Sequence, residues 1–140
     1  MSRILIEMKG ICKEFPGVKA VQDGLFSLEE GEIHSLIGEN GAGKSTLMKV
    51  LYGMYVPEEG SIAVKGETYP SLTPKQAIGL GIGMVHQEFM LVREMTVLEN
   101  IILGFEPRRG GRIDRRAALE KIEYYADTYG LRVHPDKKVE

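Results

Sequence analysis

An α/β fold built around a phosphate-binding loop is the class this sequence predicts, and three observations carry the prediction. The stretch Gly38-Glu39-Asn40-Gly41-Ala42-Gly43-Lys44-Ser45-Thr46 fits G-x-x-x-x-G-K-[ST] without a mismatch. A mostly apolar run, Ile33-His34-Ser35-Leu36-Ile37, leads into it, and an amphipathic run, Leu47 to Tyr52, leads out. Strand, glycine loop and helix thus follow one another in the order a P-loop NTPase core requires. Glycines at 38, 41 and 43 let successive backbone N–H groups turn inward as an anion nest at a helix start, where the helix dipole adds to the pull. Lys44 is the point charge for the terminal phosphates and Ser45 the hydroxyl for a magnesium ion. Gly38, Asn40, Gly41, Ala42, Gly43, Lys44, Ser45 and Thr46 are therefore the candidate nucleotide-binding residues. The alternative of an ordinary Gly/Asn surface turn needs a chance match at roughly one in a few hundred.

The rest of the chain fits a soluble domain with a real core: 140 residues, 43% hydrophobic. Eighteen basic against 20 acidic residues give a net charge of -2, without the positive excess of a nucleic-acid surface. The single Cys12 excludes an intrachain disulfide framework and fits a reducing compartment, where it is expected to act as a buried small hydrophobe. The first residues lack the apolar core of a signal peptide, and no apolar stretch is long enough to span a bilayer, so a cytoplasmic location is expected.

Before the cradle, Ile4 to Met8 alternates and reads as a short strand closed by Lys9-Gly10, with a loop over Lys13 to Gly17. Val18 to Leu28 reads as further strand, broken near Asp23-Gly24. After it, a helix from Lys44 ends at Gly53, and Ser61 to Val64 reads as an edge strand of a small antiparallel sheet, with a turn at Lys65-Gly66. Thr73-Pro74-Lys75-Gln76 is a capped helix start that Gly79 and Gly81 end quickly. Ile82 to Val85 reads as a compact apolar strand delivering Gln87 at its C-terminal end, where open α/β sheets place ligands. His86 beside it is a weaker candidate for a direct role. Thr96-Val97-Leu98-Glu99 is a second capping box. Arg108 to Arg112 reads as a solvated basic loop, and Asp114 caps a longer helix to about Tyr129. That helix has Leu119, Ile122, Tyr125, Ala126 and Tyr129 on one face and Gly130 as C-cap. The organisation expected is residues 1–94 as an antiparallel β subdomain with the nucleotide-binding core, and residues 95–140 as the start of an α-helical subdomain.

These features together resemble the ATP-binding subunits of ABC (ATP-binding cassette) transporters. Phe15 lies 23 positions before Gly38, where that family has an aromatic residue stacking on adenine, with Ala20 a weaker candidate for the same pocket. Gln87 is similar to the family's Q-loop glutamine, a magnesium and water contact, and Thr96-Val97-Leu98-Glu99-Asn100-Ile101 resembles its Thr-Val-x-Glu-Asn helix start. Gly81 to Val92 resembles the importers of nucleosides and simple sugars, in which two cassettes are commonly fused. The resemblance implies ATP and Mg²⁺ as cofactors, with Lys44 and Gln87 as catalytic residues and Ser45 and Gln87 toward the metal. It implies transmembrane permease subunits and a second cassette as partners, on the cytoplasmic face of the membrane. The Leu-Ser-Gly-Gly-Gln-type signature, the Walker B Asp-Glu and the switch histidine do not occur. Family order places them after residue 140, so the chain is expected to be a truncated ABC ATPase domain that binds ATP and turns over little by itself. Small-molecule kinases and non-transport ABC ATPases use the same cradle and stand as alternatives. Kinase cradles usually lie near the start of the chain, and the DNA-repair ABC ATPases carry long coiled coils between their motifs.

Overall fold

Two long strands dominate the first third of the computed structural model, which describes residues 3–86 and 90–139. Strand β1 (Ile4–Phe15) and strand β2 (Val18–Glu29) form an antiparallel hairpin across the two-residue turn Pro16-Gly17, with Gly17 at φ 81°. The expectation of a short first strand and a loop over Lys13–Gly17 is corrected. Gly10, at φ 63°, is a bulge in the strand instead of its end, because the ladder resumes beyond it with Ile11 opposite Gly24 and Lys13 opposite Val21. The break expected near Asp23-Gly24 is a register shift inside continuous β2.

Helix α1 (Lys44–Leu51) follows the glycine loop, and β3 (Glu59–Val64) then pairs with β1 on the side away from β2. With β4 (Glu67–Tyr69) the sheet order is β2-β1-β3-β4, so β3 is internal, not the edge strand expected. Lys65-Gly66, both at positive φ, make the turn between β3 and β4. The core of this unit joins the inner face of the sheet, Met8 opposite Ile62 with Ile11 and Val64, to Leu47, Val50 and Leu51 of α1. Those three helix residues have the i, i+3, i+4 spacing of one buried stripe. Cys12 is half-buried, with its sulfur accepting a long hydrogen bond from the Asp23 N–H at 3.5 Å. Helix α2 (Pro74–Gly79) begins with both halves of the capping box made by Thr73 and Gln76.

The runs 33–37 and 82–85 were expected as strands and are not. Neither has a ladder partner among the described residues, and a strand exists only where a neighbour accepts its hydrogen bonds. Ile33 and Ile37 are 96% and 94% exposed and Val85 95%, whereas Ile82 packs against the core of the first unit.

The described residues divide into two compact units, Met1–Val85 and His86–Glu140. In the second, α3 (Val97–Ile102) starts with the Thr96/Glu99 capping box and packs Leu98 against Ala118 and Ile122 of α4 (Arg115–Tyr129). α4 has Asp114 as its N-cap and Gly130, at φ 65°, as its C-cap. Its buried stripe is narrower than expected: Tyr125 and Tyr129 are exposed and stack on each other with ring centroids 6.4 Å apart. The residues after α4 run back to α3, where the Pro135 and Lys137 carbonyls accept from the Leu98 and Val97 N–H groups of its first turn. The basic loop is a hairpin, with β5 (Arg108–Arg109) and β6 (Arg112–Ile113) joined by Gly110-Gly111 at φ 59° and 81°.

Asn100 holds this unit's entrance. Its side-chain oxygen accepts from the Val92 N–H at 2.8 Å, and its NH₂ donates to the Val92, Met95 and Thr96 carbonyls at 3.0, 3.4 and 3.0 Å. Asn100→Leu would take this partner from the Val92 N–H and the Met95 carbonyl, while the Val92 and Thr96 carbonyls keep the Met95 and Asn100 N–H groups. It is expected to destabilise the unit by about 1–3 kcal/mol, read as a lower denaturation midpoint, with the midpoint of Asn100→Asp between that of leucine and wild type. An unchanged midpoint for the leucine variant would refute the clamp.

Candidate functional site: a phosphate cradle beside an aromatic platform

The glycine loop owes its shape to positive-φ residues. Gly41 and Gly43 stand at φ 86° and 80°, a region in which a side chain is strained, and between them the chain turns so that the Ala42 N–H donates to the Glu39 carbonyl at 3.2 Å. Gly43 is the N-cap of α1 and gives no side-chain cap, so the first-turn N–H groups of Lys44, Ser45 and Thr46 have no side-chain acceptor from that position. No acidic residue occupies the helix's first turn. An anion is the natural partner of such an end. Gly43 also abuts β2: a Cβ there would lie 2.3 Å from the Ala20 carbonyl oxygen.

Lys44 reaches back across the loop, its ammonium donating to the Gly38 carbonyl at 2.6 Å and the Glu39 carbonyl at 2.7 Å. These bonds place Nζ at the mouth of the cradle. A pocket of about 370 Å³ opens there, lined by Phe15, Val18, Ala20 and residues 40–46. The structure thus brings Phe15, Ala20, Asn40, Gly41, Ala42, Gly43, Lys44, Ser45 and Thr46 to one place, with Gly38 joined to it through Lys44. Lys44 is the one charged side chain among those lining residues. Gln87, the remaining site candidate, lies outside the described residues.

Two participants went unread in the sequence. Val18 lines the pocket because the two-residue turn sets it directly opposite Phe15 in the ladder. A Pro-Gly pair flanked by strand-formers was the signal that could have placed it. Tyr55, in the loop after α1, packs against the Phe15 ring edge-to-face at 5.1 Å and 75°. Nothing in its spacing marked it. The same corner holds the Lys13–Glu58 pair, 2.5 Å apart, with Lys13 also donating to the Val56 carbonyl at 2.8 Å. Glu58 in turn accepts from the Glu14 N–H at 2.9 Å. The Lys13 bond, then the Glu14 N–H, hold the Glu58 carboxyl below its ordinary 4.5. Its stabilising contribution is therefore complete above that ordinary value and is lost as pH falls through the lowered one.

An α/β fold with a glycine-turned anion nest, a lysine at its mouth and an aromatic ring across the pocket defines a nucleotide-binding protein of the P-loop class. Within it the chain belongs to the ABC transporter family, whose model matches residues 21–140. It is 54% identical over 134 residues to the guanosine import ATP-binding protein NupO of Bacillus subtilis and 48% identical over 132 residues to the nucleoside import ATP-binding protein NupA of Lactococcus lactis subsp. cremoris. It is 47% identical over 137 residues to the ribose import ATP-binding protein RbsA 1 of Rubrobacter xylanophilus. These alignments take in 96%, 94% and 98% of the chain but 26%, 26% and 28% of the relatives, so it spans about a quarter of their length. Among solved structures, a nucleotide-free ATP-binding cassette from an ABC transporter superposes with a TM-score of 0.77 at 26% identity. That match covers 96% of this chain and 57% of the other. The ADP conformation of a cassette superposes with a TM-score of 0.70 at 25% identity over the same shares. The family match leaves the small-molecule-kinase alternative without support.

Proposed function

We propose that these residues form the ATP-binding part of an ABC importer ATPase, acting on nucleosides or simple sugars. The carrying observation is a pocket lined by both Phe15 and the cradle residues 40–46. An aromatic π-face suits a purine, and the nest with Lys44 suits its phosphates. The nucleoside and ribose importers among the relatives support the cargo class.

In this reading the backbone N–H groups of residues 41–46 hold the phosphate chain and Lys44 offsets the charge that develops on the terminal phosphoryl as water attacks in line. Ser45, exposed on the first turn of α1, is the oxygen donor for magnesium, and Gln87 seats the water beside it. No group of three His, Cys, Asp or Glu that could hold a metal ion occurs among the described residues. Mg²⁺ commonly takes one or two protein oxygens together with phosphates and waters, which is the share this reading gives to Ser45 and Gln87. Bound magnesium supplies charge neutralisation across the phosphate oxygens. The partners are transmembrane permease subunits and a second cassette, which the greater length of the relatives can supply in the same polypeptide. Among the described residues no helix is long and apolar enough to cross a membrane. A seat on the cytoplasmic face, against the permease, follows in this reading from the importer function. Residues 1–94 then serve as the β subdomain with the nucleotide core, and 95–140 as the opening of the helical subdomain.

Phe15→Ala is expected to weaken MgATP binding by about 1–3 kcal/mol, the scale of one base stacked on an aromatic ring, while leaving inorganic tripolyphosphate binding unchanged. Titration calorimetry with both ligands checks it. Unchanged ATP affinity would remove the adenine assignment, and uptake of labelled guanosine against ribose would decide the cargo.

A further inference from the structure

A ring that is to stack on a base must be held in one plane, and Phe15 stands at the last position of β1 beside an exposed two-residue turn. Strand pairing fixes its Cα but not its ring. Two contacts supply the rest, and both are anchored in the segment leaving α1. The Tyr55 N–H donates to the Lys49 carbonyl at 3.3 Å in the last turn of α1, and the Lys49 ammonium lies 5.5 Å from the centre of the Tyr55 ring. Tyr55 meets Phe15 edge-to-face at 5.1 Å, a favoured aromatic geometry. Lys13, two positions before Phe15 on β1, sits 5.4 Å from the centre of the Phe15 ring. Its ammonium is held by Glu58 and the Val56 carbonyl, and its side chain is only 13% exposed. Glu58 ties the same turn to β1 through the Glu14 N–H and, by its own N–H, through the Cys12 carbonyl at 2.9 Å.

We propose that Tyr55 and the Lys13–Glu58 pair are positioning residues for the nucleotide base: they lock the Phe15 ring and tie it to the C-terminal end of the helix whose N-terminus is the phosphate cradle. α1 then serves as a rod of fixed length. One end turns toward the phosphates, and the other sets, through Lys49 and Tyr55, where the aromatic platform stands. The proposal rests on the reading that Phe15 stacks on adenine. It adds that the platform works only when held.

The test uses the protein as it is expressed and titrates MgATP and inorganic tripolyphosphate into wild type, Phe15→Ala, Tyr55→Leu, Tyr55→Phe and Glu58→Gln. Tyr55→Leu and Glu58→Gln are each expected to weaken MgATP about two- to tenfold with tripolyphosphate unchanged, the scale of one oriented aromatic contact. Tyr55→Phe keeps the edge-to-face pair and is expected to bind as wild type. On a Phe15→Ala background Tyr55→Leu should cost nothing more, because the two residues act as one unit. Additive losses in that pair, or equal losses for ATP and tripolyphosphate, would overturn the positioning role. So would wild-type ATP binding by Tyr55→Leu while Phe15→Ala binds weakly. Wild-type ATP binding by Phe15→Ala would instead refute the underlying adenine reading. Thermal melts identify a variant that has lost its fold, and if Tyr55→Leu is such a variant Glu58→Gln still decides the matter, since wild-type MgATP binding by it would overturn the positioning role.

Discussion

Gly43→Ala is expected to abolish measurable nucleotide binding and to lower the melting temperature, the largest effect of any single methyl group added to the site. Two costs coincide there. The backbone stands at φ 80°, where a side chain costs roughly 1–2 kcal/mol. The new Cβ would also lie 2.3 Å from the Ala20 carbonyl oxygen and 3.2 Å from Val21 Cγ2. A carbonyl on a paired strand cannot swing away as the tip of a lysine could, so the loop or β2 must shift. Either shift dismantles the pocket, because Ala20 and residues 40–46 line it together. Gly41 is the internal control: its φ is 86°, but a Cβ there meets nothing within 4 Å. Gly41→Ala should therefore carry the conformational cost alone and lose about five- to thirtyfold in MgATP affinity, against at least a hundredfold for Gly43→Ala. Calorimetric titration and melting curves separate the two. Wild-type affinity in Gly43→Ala would show that the abutment of loop and strand does not shape the cradle.

That contrast also marks where sequence reasoning reached and where it stopped. Elements whose determinants lie within four residues were legible: the capping boxes at Thr73/Gln76 and Thr96/Glu99, the Asp114 cap and the Gly130 stop all occupy the positions read for them. The glycine loop belongs with these, since its residue types follow from local backbone need. Features that depend on a distant neighbour were not legible. Gly10 looked like a terminator because a bulge and a strand end use the same residue, and only the continued pairing with β2 distinguishes them. Apolar Ile33–Ile37 looked like a strand because composition registers hydrophobicity but not the presence of a ladder partner. Tyr125 and Tyr129 share a face with Ile122 by periodicity, yet α3 covers only the first half of α4. Tyr55 reaches Phe15 across 40 positions of sequence, a separation no periodic pattern encodes.

Lys44→Ala is expected to weaken MgATP binding by roughly a hundredfold, and tripolyphosphate by the same factor, while leaving the melting temperature almost unchanged. Among the described residues the ammonium is the only charged side chain lining the pocket, and a charge-assisted bond to phosphate is worth about 1.5–3 kcal/mol. Its partners within the chain are the Gly38 and Glu39 carbonyls, in a loop open to water that can hydrate them once the lysine is gone. Stability should therefore barely register the change. Arginine should restore little of the loss, because a broad planar fork does not reproduce a compact point charge at the mouth of a tight glycine turn. The pairing with Phe15→Ala gives the measurement its force: one substitution should weaken both ligands equally, the other ATP alone. If Lys44→Ala bound tripolyphosphate as tightly as wild type, the phosphate chain would have to lie elsewhere, and the assignment of the cradle would fail with it.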